Sequence, residues 1–149
     1  MKKAVKLVLL IGWMAVIFLL SAQAAPVSED TSNFVTEIVY RIYAFLSGDP
    51  ISDVLFLERY APIIRKLAHF TEFMILGMLS VSNFEEYEKK NYEFHGTVFA
   101  ILYAISDELH QLFVENRYCS IKDVLIDSAG IFCGVLLYRL ISGKWKKDY

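Results

Sequence analysis

The chain has 149 residues, the length of one ordinary domain, with 56% apolar and 15% aromatic residues, 21% charged residues and a mean hydropathy of +0.41. A soluble domain averages roughly 45–50% apolar and about 25% charged, so the chain is too apolar for disorder and points to a lipid bilayer as its partner. A net charge of −2 speaks against a nucleic-acid-binding face, and two cysteines, Cys119 and Cys133, make no disulfide scaffold.

Lys2, Lys3 and Lys6 precede Leu7–Ser28, a run of 22 residues without a charge. At about 1.5 Å per residue the run crosses a hydrocarbon core of roughly 30 Å. The spacing predicts a span over about residues 5–25 with the lysines in the cytoplasm. Ala22-Gln23-Ala24 also fits a secretory cleavage site. The apolar remainder of the chain favours a retained helix.

From Pro26 to Ala61 the pattern changes. Phe34, Ile38, Ile42 and Phe45 recur at one helical face, with Thr36, Glu37 and Arg41 on others. Such a helix suits a membrane surface or the cap of a bundle. Gly48-Asp49-Pro50 ends it, Ser52 caps a second short helix through Glu58, and Pro62 opens a new helix from its first turn. Spans are expected over about 63–83, 96–114 and 121–141. A charged loop from Asn83 to Phe94 joins the first two, and Glu115–Cys119 joins the last two. Ser120 and Asp123 resemble a capping box, and Lys144, Lys146 and Lys147 close the chain.

The expected fold is therefore all-α, one domain over residues 1–149. It is a membrane bundle of four transmembrane helices plus an extracytoplasmic amphipathic helical segment. Multi-pass insertion in the plasma membrane with both termini cytoplasmic puts nine of the 15 lysines and arginines inside and six outside, as the positive-inside rule prefers.

Only the first span is clean. The second carries Arg65, Lys66, His69 and Glu72 before 12 uncharged residues. The third carries Asp107, Glu108, His110 and Gln111 after 11 uncharged residues, and the fourth carries Lys122, Asp123 and Asp127 before 11 more. Under the expected topology every charge-rich half is the outer half. Arg65, His69 and Glu72 share one helical face, Asp107, His110 and Gln111 another, and Asp123, Asp127, Gly130 and Gly134 a third. Central charges turned to lipid would cost at least ~2.5 kcal/mol each. Turned inward, they make a charged cleft open to the outside, in which Arg65 or Arg117 should neutralise a carboxylate of the third or fourth span. Arg65 and Lys66, near helix ends, could equally snorkel. Gly130-x-x-x-Gly134 reads as a helix-packing surface.

The cleft residues allow several chemistries. Arg65, Lys66, Arg117 and Lys122 suit a phosphate or carboxylate. Glu72, Asp107 or His69 could act as acid or base. His69 with Asp107 and Glu108 could ligate a divalent ion, but no H-E-x-x-H motif supports it, and no metal or cofactor is assigned. Two classes stay open: a protein that binds an amphiphilic envelope molecule, and an intramembrane acid/base or metal-assisted enzyme acting on a lipid-linked or cell-wall substrate. No single catalytic residue stands out.

Three blocks resemble the VanZ-like family, named for a teicoplanin-resistance protein of glycopeptide-resistance clusters. They are Trp13–Phe18 with Ser21 and Gln23; Arg65-Lys66-Leu67-Ala68-His69-Phe70-Thr71-Glu72-Phe73; and Asp107–Phe113 with Arg117, Asp123–Asp127, Gly130 and Gly134. The family often has Tyr at the Phe73 position and Pro-Gly where this chain has Glu115-Asn116, which predicts a different turn. The resemblance implies a small multi-span envelope membrane protein, a lipid-linked or glycopeptide ligand, and a link to glycopeptide resistance. It implies no established reaction.

Overall fold

The structure, a computed structural model, describes residues 2–23, 25–47, 53–117 and 119–143. Among them the chain forms five helices: α1 (Lys2–Ser21), α2 (Ala25–Ser47), α3 (Asp53–Phe84), α4 (Tyr92–Gln111) and α5 (Ile121–Ile141). No strand occurs among the described residues. The Gly48-Asp49-Pro50 break, the Ser52 cap, Ala24 of the cleavage motif and the closing lysines Lys144, Lys146 and Lys147 lie outside them.

The α5 boundaries coincide with the fourth expected span. The α4 helix starts four residues earlier than expected, after a left-handed Asn91 (φ 60°), and stops at Gln111. A larger difference is at Pro62. Two helices were expected to meet there, yet Pro62 sits inside one continuous 32-residue helix. Proline removes the N–H that would bond the Glu58 carbonyl. Packing of the preceding turns offsets that loss. Phe56 is buried, its ring 4.4 Å from Tyr60 on its own helix and 5.3 and 5.5 Å from Tyr40 and Tyr43 of α2. The α2 helix thus lies along the first turns of α3. Its other face leaves Phe34, Ile38, Ile42 and Phe45 exposed.

Of the five, α1 (over Lys3–Ser21) and α5 are long and apolar enough to cross a membrane. The charged halves of α3 and α4 keep those helices below that measure, so four spans do not follow from length and composition alone. α3 is nevertheless the hub and touches the other four helices.

Cross-helix bonds fix the orientation. Lys6 of α1 donates to the Ser82 carbonyl (3.1 Å) and pairs with Glu86 (2.6 Å) at the far end of α3. Midway, the Trp13 indole donates to the Glu72 carbonyl (2.9 Å) and the Tyr103 hydroxyl to the Met14 carbonyl (2.7 Å). At the other end of α1, the Ser21 hydroxyl donates to Asp107 (2.9 Å). α1 therefore runs antiparallel to α3. Arg139 near the end of α5 bonds Glu93 at the start of α4 (2.8 Å), on the Lys6 side. Leu10, Ile17, Phe73, Leu76, Ala100, Ala104 and Ile131 fill the core between the two ends.

Glycines set the closeness of α3 to α5. A Cβ on Gly130 would lie 2.3 Å from the Phe70 carbonyl oxygen, and one on Gly134 2.0 Å from that of Met74. The two backbones touch directly, which only glycine permits. That contact brings the first turns of α5 against the charged half of α3.

Candidate functional site

A cavity of about 320 Å³ opens at the Ser21 end of the bundle, lined by Arg65, Lys66 and His69 of α3, Glu108 and Gln111 of α4, Asn116 and Arg117 of the connection, and Asp123 and Asp127 of α5. A smaller one of about 90 Å³ adjoins it, lined by Ser21, Ser32, Glu72 and again Arg65, His69 and Arg117. A third, of about 370 Å³, lies between α2 and α3 and also borders Arg65.

The periodic spacing of the sequence places these groups. Arg65 and His69 are one turn apart on α3, and Asp123 and Asp127 one turn apart on α5. Asp127 is fully buried, and neither of its carboxylate oxygens accepts a hydrogen bond. The ionisable group within reach is the His69 Nδ1, itself buried, 4.0 Å away. Glu108 accepts the backbone N–H of Ser120 (2.8 Å). This replaces the expected capping box, because Ser120 makes no side-chain cap. A carboxylate from the neighbouring helix satisfies the orphan N–H and ties α4 to the start of α5.

Asp107 lies in neither cavity wall. It forms a buried network: Ser21 donates to it, and the Gln111 amide donates to both the Ser21 hydroxyl (3.1 Å) and Asp107 (3.3 Å). His110 also leaves the cleft and stacks on Phe18 of α1, with centroids 4.5 Å apart. Lys122 is exposed and outside the lining.

Among the described residues the cleft arginines form no ion pair. Arg65 or Arg117 was expected to pair with an acid of α4 or α5. Among the described residues neither lies within 4.0 Å of one. Arg65 instead donates to the Ser32 hydroxyl of α2 (3.3 Å) and Arg117 to the Ser21 carbonyl (3.4 Å). Neutral oxygens orient the guanidiniums without cancelling their charge. Burial, and next the like charge of Arg65, lower the Arg117 pKa from its ordinary value, with Asp107, Glu108 and Glu72 opposing. A guanidinium stays protonated regardless.

A profile of the VanZ/LLP1 family matches residues 6–142. The chain belongs to the VanZ/LLP1 family. No curated protein and no solved structure is significantly similar to it. Family membership, with the two apolar helices α1 and α5, makes it a membrane protein. The match covers α1 to α5, so the whole cleft lies within the VanZ/LLP1 region. At the turn where Glu115-Asn116 replaces Pro-Gly, Asn116 adopts φ 58°. Asparagine tolerates that left-handed conformation better than other non-glycine residues, so the chain makes a glycine-type turn without the glycine.

Ser32, the Trp13 indole and the Tyr103 hydroxyl carry no signal in helical spacing, because their partners lie on other helices. Among the described residues, no group of three His, Cys, Asp or Glu side chains has a metal-holding arrangement. The cleft wall thus brings together two guanidiniums with no ion-pair partner among the described residues, a half-buried His69 and a buried Asp127.

Proposed function

We propose that this VanZ/LLP1 protein is a four-span protein of the bacterial plasma membrane, with both termini cytoplasmic. Its outward-facing cleft binds the anionic head of an amphiphilic envelope molecule. α1, α3, α4 and α5 would span, and α2 would lie in the outer interface with Phe34, Ile38, Ile42 and Phe45 in the acyl boundary. Those four side chains are 45–88% exposed, and they sit opposite the face that carries Tyr40 and Tyr43 against α3. Antiparallel packing supports the topology, because it gathers Arg65, Asp107, Arg117 and Asp127 at one end and Lys6, Glu86, Glu93 and Arg139 at the other.

One observation carries the binding reading. Arg65 and Arg117 line the same cavity, and among the described residues no carboxylate lies within 4.0 Å of either. Two like charges held by neutral oxygens are a standing attraction for a phosphate or carboxylate. An amphiphile fits because the polar head can occupy the cavity while its tail stays in lipid. A lipoglycopeptide is a second occupant of the same class, and its capture would contribute to teicoplanin resistance, as the family's name implies.

The experiment is native mass spectrometry of lipids that co-purify with the wild type and with Arg65→Ala/Arg117→Ala. A charge-assisted hydrogen bond is worth about 1.5–3 kcal/mol, so each loss weakens binding roughly 10- to 150-fold. The wild type should retain an anionic amphiphile that the double variant loses. Equal retention by both would overturn the reading.

A further inference from the structure

The His69–Asp127 pair that lines the cleft does more than hold helices together. Asp127 is fully buried with no donor to either oxygen, and the His69 Nδ1 facing it at 4.0 Å is buried and unpartnered as well. An isolated buried carboxylate is costly, and a ring N–H is the donor within reach. At 4.0 Å the contact is longer than a hydrogen bond, as such pairs often are before substrate closes the site. With Nδ1 turned toward Asp127, Nε2 is the ring nitrogen left for the cavity. His69, Arg65 and Arg117 border both adjoining cavities. A nucleophile oriented by an acid, beside two guanidiniums, is the arrangement that phosphoryl transfer requires.

We propose that the cleft is a lipid-diphosphate phosphohydrolase site in which His69 Nε2 takes the terminal phosphoryl group, Asp127 positions the imidazole, and Arg65 and Arg117 bind the phosphate oxygens. The proposal rests on the anion-binding reading above and gives it a substrate class. In the first step the Nε2 lone pair forms a P–N bond. The bridging P–O bond breaks, and its electron pair leaves on the lipid monophosphate. A phosphate leaving group needs no proton from the protein, and Glu108 in the same cavity wall already accepts the Ser120 N–H. The phosphorylated ring carries a positive charge, with Nδ1–H toward the Asp127 carboxylate. In the second step a water oxygen attacks phosphorus. The P–N pair returns to Nε2, and the water proton passes to the released phosphate or to solvent. One anhydride bond and one water are consumed, with no change of oxidation state.

The test uses the full chain in lipid nanodiscs with farnesyl diphosphate carrying a radioactive terminal phosphate. The expected result is release of inorganic phosphate without added metal, together with an acid-labile, alkali-stable label that peptide mapping places on His69. His69→Gln should abolish both. Asp127→Asn should lower kcat by about 10²-fold or more with little change in KM, and should shift the pH–rate profile, which a purely structural role would not do. If either variant fails to fold, the label mapped on the wild type still decides. Probe binding with neither release nor label overturns the hydrolase and leaves the anion-binding cleft standing. Release that requires added divalent metal and leaves no label overturns the His69 mechanism. Absence of any binding overturns both readings.

Discussion

Replacing Gly134 by alanine tests whether backbone contact between α3 and α5 builds the cleft. The added Cβ would lie 2.0 Å from the Met74 carbonyl oxygen, and ordinary contact begins at 3.4 Å. The deficit is about 1.4 Å (3.4 less 2.0), and backbone cannot swing aside as a flexible side chain would. α5 must therefore move away from α3 or tilt. Overpacking of this kind costs about 1–3 kcal/mol. For a chain of this length each kcal/mol moves Tm by roughly 2–4 °C, so Gly134→Ala should lower Tm by about 2–12 °C. Gly12 supplies the contrast, since a Cβ there meets nothing within 4 Å. Gly12→Ala should be neutral or stabilising by up to about 1 kcal/mol. Thermal unfolding of both variants in one detergent, followed by tryptophan fluorescence, reads the difference. A Gly134→Ala protein as stable as the wild type would refute close α3–α5 packing, and with it the placement of Asp127 beside His69.

Ser21→Ala strips a buried donor from Asp107 and should cost about 1–3 kcal/mol, measured as a lower unfolding midpoint. Glu108→Ala removes the acceptor for the Ser120 N–H and should cost about 0.5–2 kcal/mol, whereas Glu108→Gln keeps an acceptor and should cost less. Glu86, at first sight a surface residue, pairs with Lys6, so Glu86→Ala should lose about 0.2–1 kcal/mol and raising the salt concentration should narrow the difference from wild type. Lys89, exposed in the loop, is the neutral control. Asp107→Asn, Asp123→Asn, Asp127→Asn and His69→Ala should each abolish whatever phenotype the protein confers, scored against Lys89→Ala at equal expression.

The sequence shows helix positions better than partners. The α5 helix was legible to the residue, because Ser120 marks its start and 11 uncharged residues follow Asp127. The continuity of α3 was not, since Pro62 is a strong local stop signal and the Phe56 cluster that outweighs it draws on Tyr40 and Tyr43 of another helix. In the cleft, the face and depth of Arg65, His69 and Asp127 follow from helical spacing. Azimuth between helices does not, so Asp107 could not be assigned to Ser21 and Gln111, nor His110 to Phe18. For the same reason the arginines were expected on carboxylates, although the chain gives them a hydroxyl and a carbonyl. Ser21 was the nearest thing to a signal, a lone hydroxyl at the end of an apolar run.

The central claim is that the cleft faces outward, and the chain carries its own probe for that. Cys119 is an exposed thiol on the α4–α5 connection, next to the Ser120 amide bound by Glu108. In a Cys133→Ser background, a membrane-impermeant maleimide added to intact cells should label Cys119. A Glu88→Cys thiol, placed in the loop at the opposite end of the bundle with both native cysteines replaced by serine, should react only after permeabilisation. Labelling of position 88 from outside, with Cys119 protected until the cells are opened, would contradict the account.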